Sequence, residues 1–424
     1  FMTKNRKDMA IVDHIKDDLL ADLHSHYPDI LLNERDDVMD LLVKVTERYG
    51  DKFIIIVDEW DAICREFAVG TGVMDEYVDF LRRLFKGEKS MRVFAGAYLT
   101  GILPVKKYKT ESALNNFREY SMVRPKGLAG YLGFTKSEVE VLCEKYAMDY
   151  EDVAKWYDGY SLGKEPSIFN PNSVMEAFAS HECDSYWSAT GAFDAVARYI
   201  SMDFEGLKGD IINMLAGGSC LVDTTGFKND PTIIKTKDDV FTLLIHLGYL
   251  AYNSKEKRCY VPNMEVAGEM KNAIVDNGWT LVTNAIGDSE RLLDHLLAGE
   301  TDAVAAGIGK VHEESASVLK HNDENSLSCV INLAFYAARS KYKMLRELPS
   351  GKGFADVVFL PWRNVDFPAI VVELKWKKDA VTAIDQIHDR NYPASLKEYV
   401  GEVILCGINY DKDSKTYSCV IERI

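Results

Sequence analysis

Three polar side chains near the C-terminus stand where a chain has most reason to avoid them. Asp356 sits in Phe354-Ala-Asp-Val-Val-Phe359, and Glu373 and Lys375 close the run Ala369-Ile-Val-Val-Glu-Leu-Lys375. Runs this apolar read as strands of a sheet interior, where charges are poorly tolerated without compensation. Residues i and i+2 of a strand share a face, so the Glu373 carboxylate and the Lys375 ammonium project together. If the two strands pair as a hairpin, Asp356 joins them, and two hard oxygen ligands and a lysine converge at one end of a sheet. That set suits phosphodiester hydrolysis. Mg2+ or Mn2+ takes carboxylates and waters and keeps positions open for a phosphate. Such an ion polarises the phosphoryl group and lowers the pKa of a bound water. A neighbouring lysine orients that water and stabilises the developing negative charge. The Leu374 carbonyl, and Glu324 on the preceding predicted helix, are further candidates for the metal shell. An E-x-K triplet alone is weak evidence, because most are surface salt-bridge material. The apolar strand around this one, and a second acid in the neighbouring strand, carry the reading.

The elements that must position these residues are legible around them. The pattern predicts a helix over 324–339 and strands over 342–348, 354–360 and 369–375. A helix over 379–390, carrying Gln386, and strands over 401–409 and 416–422 follow, in the order α-β-β-β-α-β-β. Upstream, apolar positions at three- and four-residue spacing predict helices over 8–49. Residues 53–58, Phe-Ile-Ile-Ile-Val-Asp, read as a buried parallel strand, followed by a helix near 74–86 and a strand over 91–98. Residues 135–300 read as mostly helical, with Thr135-Lys-Ser-Glu138 as a capping box. A helix over 238–247 and a hairpin through Gly248–Val261 give the outline of a winged helix. A lid or linker module without DNA contact is an equal reading of that outline. The fold class expected is α/β multidomain: residues 1–134 a partial P-loop-like α/β part, 135–310 a helical, winged-helix-like middle, and 320–424 a C-terminal α/β domain.

Composition bounds the rest. A chain of 424 residues exceeds one hydrophobic core, and 47% hydrophobic with 27% charged residues is ordinary for globular domains. No apolar run approaches the roughly 18 residues of a membrane helix. Nor does the basic N-terminus lead into an apolar leader segment. No membrane contact is therefore expected, and a cytoplasmic location is. Eight cysteines are scattered singly without a C-x-x-C pair, which reads as reduced, packed thiols rather than a zinc or redox site. The net charge of −16 argues against nucleic-acid binding by the whole surface. It is uneven, however: residues 320–424 hold 15 Lys/Arg and 14 Asp/Glu, or +1, and the remainder 35 and 52, or −17. Any nucleic-acid contact belongs to the C-terminal part or to local patches.

The stretch Gly351-Lys-Gly-Phe-Ala-Asp356, Val371-Val-Glu-Leu-Lys375, Ala383-Ile-Asp-Gln386 and then Tyr392 resembles the PD-(D/E)XK nuclease superfamily. More narrowly, it resembles the branch fused to AAA-ATPase-like domains in bacterial proteins. The resemblance implies a restriction-endonuclease-like fold for 320–424, with Asp356, Glu373 and Lys375 as motif residues. It also implies Gln386 and Tyr392 beside the site, Glu324 as the opening helix's acid, and nucleic acid, DNA in the first place, as substrate. Ile54-Ile-Ile-Val-Asp58-Glu59 resembles a Walker B strand, with Trp60 where the family usually has Tyr, and Thr100-Gly-Ile-Leu resembles the sensor segment. Asn115-Asn116, Gly133, Trp156-Tyr-Asp-Gly-Tyr160, Asn170-Pro171, Gly248-Tyr-Leu250 and Pro262-Asn263 match other landmarks of that branch. Asp58, Glu59 and Thr100 are thereby expected at a nucleotide site. The chain holds no G-x-x-x-x-G-K-[ST], so ATP lacks its phosphate cradle. Either a segment carrying that loop was removed or this member is a degenerate ATPase. The function expected is metal-dependent hydrolysis of nucleic acid regulated by the upstream module. The alternatives are a nucleotide-responsive or partner-binding switch without nuclease activity, and an acidic interaction protein.

Overall fold

A computed structural model describes residues 11–31, 33, 36–63, 73–102, 114, 116–187, 199–202, 204–227, 234–276, 279–315, 324–349, 354–362, 366–376, 380–389, 399, 401–411 and 413–424. The side chains of Glu324, Asp356 and Gln386 lie outside the described residues, as does the whole of Tyr392. The chain divides into two compact units, Phe1–Ser121 with Thr225–Lys235, and Met122–Thr224 with Thr236–Ile424. The regions expected as 135–310 and 320–424 fall within the second.

In the first unit, helices α1 (Ile11–His26) and α2 (Val38–Tyr49) precede strand β1 (Phe53–Val57); helices α3 (Val73–Phe85) and α4 (Glu88–Val93) then lead to strand β2 (Phe94–Leu99). Helix α2 starts at a capping box between Asp37 and Asp40 and stops at Gly50, whose φ of +78° favours glycine. Ile30, Leu41 and Val45 pack with Phe53 on one side of the β1–β2 pair, which is parallel as expected. The expectation of a fully buried β1 is corrected: Ile54 and Ile56 are 69% and 70% exposed. Among the described residues this sheet has two strands, so only one face acquires a core while the apolar run continues through both. Residues 91–93, expected as strand, close helix α4 instead; Ser90 donates to the Gly87 carbonyl at 2.7 Å and ties that turn.

The second unit begins with β3 (Phe134–Thr135), α5 (Lys136–Tyr146), α6 (Tyr150–Tyr157), β4 (Tyr160–Leu162), β5 (Glu165–Phe169) and α7 (Pro171–Ser180). It continues through α8 (Leu207–Leu215), β6 (Cys220–Leu221), α9 (Lys237–His246), β7 (Ala251–Asn253), β8 (Arg258–Tyr260), α10 (Met264–Asp276), α11 (Thr280–Ala298) and α12 (Thr301–Ser315). The Thr135 box forms, with the Thr135 N–H donating to Glu138 at 2.8 Å. The helix and hairpin expected near 238–261 form too, with β6 as a third strand beside β8. Helix α9 buries six consecutive residues, Val240 to Ile245. A helix that reads a DNA groove needs an exposed polar face, so this burial favours the module without DNA contact.

The landmarks scattered through this unit meet at one joint. A Cβ on Gly159 (φ +110°) would lie 2.0 Å from the Pro262 carbonyl oxygen. The Tyr260 hydroxyl donates to the Gly159 carbonyl at 3.0 Å, the Tyr160 hydroxyl to the Gly248 carbonyl at 2.7 Å, and the Asn263 amide to the Asp158 carbonyl at 2.9 Å. Asn170 caps α7 ahead of Pro171, and a Cβ on Gly133 would meet the Phe169 carbonyl at 2.4 Å. Buried Glu265 accepts from the Tyr186 and Trp187 N–H groups at 2.8 and 3.0 Å, and burial pushes its carboxyl above the ordinary glutamate range. These motifs hold backbone to backbone; their chemistry is that of a joint. Gly159→Ala is therefore expected to destabilise the protein by about 3 kcal/mol or more, combining backbone strain with overpacking against main chain. Chemical denaturation checks it, and a midpoint equal to that of the unaltered protein would refute it.

The unit ends with α13 (Glu324–Ala334), α14 (Ala338–Lys341), β9 (Tyr342–Pro349), β10 (Phe354–Pro361), β11 (Ala369–Trp376), α15 (Ala380–Asp389), β12 (Val403–Asp411) and β13 (Thr416–Arg423). Its five strands stand in the order β13-β12-β11-β10-β9. Only β11 and β12 are parallel, because α15 carries the chain across between them, whereas the other pairs are hairpin-like and antiparallel. The expected element order is observed throughout this segment.

Candidate functional site: the carboxylate and lysine at the end of strand β11

Strand β11 carries two of the three sequence-selected residues, and its neighbours define their surroundings. Antiparallel pairing with β10 runs Val357↔Val372, Val358↔Val371, Phe359↔Ile370. Position 356 and position 373 are the next residues on either strand, so the two acids occupy the same end of the hairpin. On the other side, β12 pairs in parallel along all of β11, with Glu373↔Gly407 and Lys375↔Asn409.

The core assigns the faces. Val358, Ala369, Val371 and Leu405 pack with Ile384 of α15. By two-residue alternation, positions 356, 373, 375, 407 and 409 continue that same face. On the opposite face, Phe359 meets Phe335 and Tyr342 edge-on at 6.0 and 6.1 Å. Helix α15 lies close to the site because residue 407 is glycine. A Cβ there would stand 2.5 Å from the Ala380 carbonyl oxygen and 3.0 Å from Ala383 and Ile384. The start of the helix thus rests on bare backbone beside Glu373.

That cover removes the carboxylate from water. The Glu373 side chain is 2% exposed and the Lys375 side chain 13%, and the Lys375 Nζ donates to Glu373 Oε1 at 2.8 Å. A charge-assisted bond of this length is strong, yet the desolvation of both ions offsets much of it. An aliphatic pair would hold β11 at least as well, so a buried acid and ammonium on this face point to chemistry. As a donor set, a carboxylate with a second acid beside it fits a hard divalent cation. Among the described residues no group of three or more His, Cys, Asp or Glu side chains converges on a metal position.

Residues 322–419 match the family model of the PD-(D/E)XK nuclease superfamily. The matched span starts just ahead of α13 and ends within β13, so it takes in every element around Glu373 and Lys375. This PD-(D/E)XK domain belongs to a superfamily whose members are usually nucleases and generally use divalent metal ions. No curated protein and no solved structure matches the chain.

Two residues of the PD-(D/E)XK domain escape the sequence reading. Asn409 is 6% exposed and pairs in register with Lys375, and Gly407 admits α15. The signal was present: Val403-Ile-Leu-Cys-Gly-Ile-Asn-Tyr410 is an apolar strand interrupted by Gly and Asn at i and i+2, the same argument that singles out Glu373 and Lys375. It needed the knowledge that β12 lies beside β11. For Glu324, the structure places the start of α13; Phe335, just past the end of that helix, packs against the face opposite Glu373.

The residues expected at a nucleotide site also come together, in the first unit. The Thr100 hydroxyl donates to the Asp58 carboxylate, and the Glu59 N–H donates to the Thr100 Oγ1 at 3.1 Å. The Thr100 N–H reaches the Val57 carbonyl at 2.9 Å, and the Trp60 N–H the Thr100 carbonyl at 2.8 Å. Glu59 adopts a left-handed φ of +49° at this turn. Trp60 is buried over Gly101, where a Cβ would come within 2.5 Å of its ring. The substitution of Trp for the Tyr of the resembled branch is thus accommodated by packing on that glycine. The four-way bonding of β1's end to β2's end gives Asp58 and Thr100 a structural task. No comparison extends to this unit.

Proposed function

We propose that the PD-(D/E)XK domain hydrolyses phosphodiester bonds of nucleic acid, DNA in the first place, with Mg2+ or Mn2+ held by Asp356 and Glu373. The observation that carries this is the buried Glu373–Lys375 pair on one face of β11, one residue beyond the last printed pairing with the strand that bears Asp356. When bound, the divalent ion polarises the scissile phosphoryl group and lowers the pKa of an attacking water. The chain's own residues do the rest. Glu373 and Asp356 present oxygen ligands, with Glu324 and the Leu374 carbonyl as further candidates. Lys375 has three donors and no acceptor; one proton engages Glu373, and the others orient the water and face the charge developing on phosphate. Gln386, on the helix covering this face, flanks the substrate. The near-neutral C-terminal charge beside an acidic remainder steers nucleic acid to this domain. Residues 1–134 serve as an AAA-ATPase-like regulatory part and 135–310 as the connecting middle.

The test is cleavage of labelled single- and double-stranded DNA and RNA by the full chain with Mg2+ or Mn2+, against Asp356→Ala and Lys375→Ala. Both variants are expected to lose cleavage at unchanged far-ultraviolet circular dichroism. Cleavage that survives in both, or that needs no divalent ion, sinks the assignment.

A further inference from the structure

The geometry points to Asn409 as a positioning residue for Lys375, holding the ammonium where the proposed hydrolysis needs it; this rests on the nuclease reading above. Parallel strands lie about 4.8 Å apart, and residues paired across them extend from the same face. Strand β12 therefore sets one residue beside each member of the buried pair: Gly407 beside Glu373, and Asn409 beside Lys375. Next to the acid the strand offers no side chain at all. Next to the lysine it offers an amide, in a run where Ile404, Leu405, Cys406 and Ile408 are fully buried. Burying an amide costs free energy unless it is hydrogen-bonded, and an aliphatic residue would serve the sheet as well.

The amide suits the task for reasons of charge. An ammonium on a four-carbon stem has many rotamers, and Glu373 alone fixes only one of its donors. A carbonyl oxygen beside it supplies a second acceptor and narrows the orientation of the remaining protons. A carboxylate at 409 would do the same but would add a third acid, pulling the lysine from the phosphate and competing for the cation. A neutral acceptor fixes the lysine and leaves the charge balance of the site unchanged.

The experiment compares the full-length protein with Asn409→Leu, which matches the amide in volume and removes both polar atoms, and with Asn409→Gln, which restores an amide. Asn409→Leu is expected to lower kcat about 10- to 100-fold, the scale of a misplaced catalytic group, with KM for the nucleic acid and the melting temperature unchanged. Asn409→Gln is expected to recover most of that loss. If Asn409→Leu does not fold, Asn409→Ala carries the same expectation. A kcat within twofold of the unaltered protein, a loss confined to KM, or a loss that tracks the fraction unfolded overturns the assignment. An unaltered protein that cleaves nothing overturns the nuclease reading beneath it, and is thereby distinguished from failure of the Asn409 role alone.

Discussion

Glu373→Gln is expected to lower divalent-metal-dependent cleavage on the order of 10³-fold, the scale for losing one preorganised electrostatic group at a reacting centre. The substitution keeps the shape of the side chain and an oxygen to accept from Lys375, so the 2.8 Å contact has a neutral replacement. What disappears is the negative charge. A carboxylate 2% exposed, covered by the start of α15 over Gly407, is little screened by water, so its charge dominates the local field. Removing it weakens the hold on a dication far more than the same change on the surface. Initial rates across a Mg2+ titration, with melting curves of both proteins, make the measurement. Activity within tenfold of the unaltered enzyme at saturating Mg2+ would show that Glu373 is not a metal ligand.

Lys375→Met should act first on stability. The Glu373 carboxylate loses its compensating ammonium while staying buried, and breaking such a pair costs about 3–5 kcal/mol. The loss is expected as a lower denaturation midpoint without divalent ions. A cation that binds the freed carboxylate takes over the compensating charge, so Mg2+ should restore much of the loss; binding at a hundredfold excess over Kd contributes about 2.7 kcal/mol. Combining Lys375→Met with Glu373→Gln removes both charges, and should lie within about 1.5 kcal/mol of the unaltered protein, since a well-packed neutral pair of similar volume is often tolerated. Denaturation of the three proteins with and without Mg2+ tests the scheme. A single variant as stable as the unaltered protein, and indifferent to Mg2+, would mean that the pair is not electrostatically coupled.

Much of this site is local in origin, and local features were legible. Charged residues at i and i+2 in an apolar strand share a face whatever the rest of the chain does, so Glu373 and Lys375 had to project together. The element order from α13 to β13 followed from periodicity and turn residues, and the Thr135 capping box from four consecutive residues. The same reasoning overreached at β1. Five apolar residues in a row imply burial on both sides only when the sheet is covered on both sides, and Ile54 and Ile56 are not. The landmarks at Trp156–Tyr160, Gly248 and Pro262–Asn263 could be recognised but not explained, because each one's partner is far away in sequence: Gly159 is glycine on account of the Pro262 carbonyl, and Tyr160 meets Gly248.

The sequence by itself determined which residues can do chemistry here, since side-chain type and two-residue alternation are properties of a single strand. Only the tertiary structure decided that β12 lies parallel to β11, that Gly407 lets α15 close over Glu373, and that an asparagine stands beside Lys375. Strand neighbours and burial arise from contacts between segments distant along the chain, and no local pattern encodes which segments will meet.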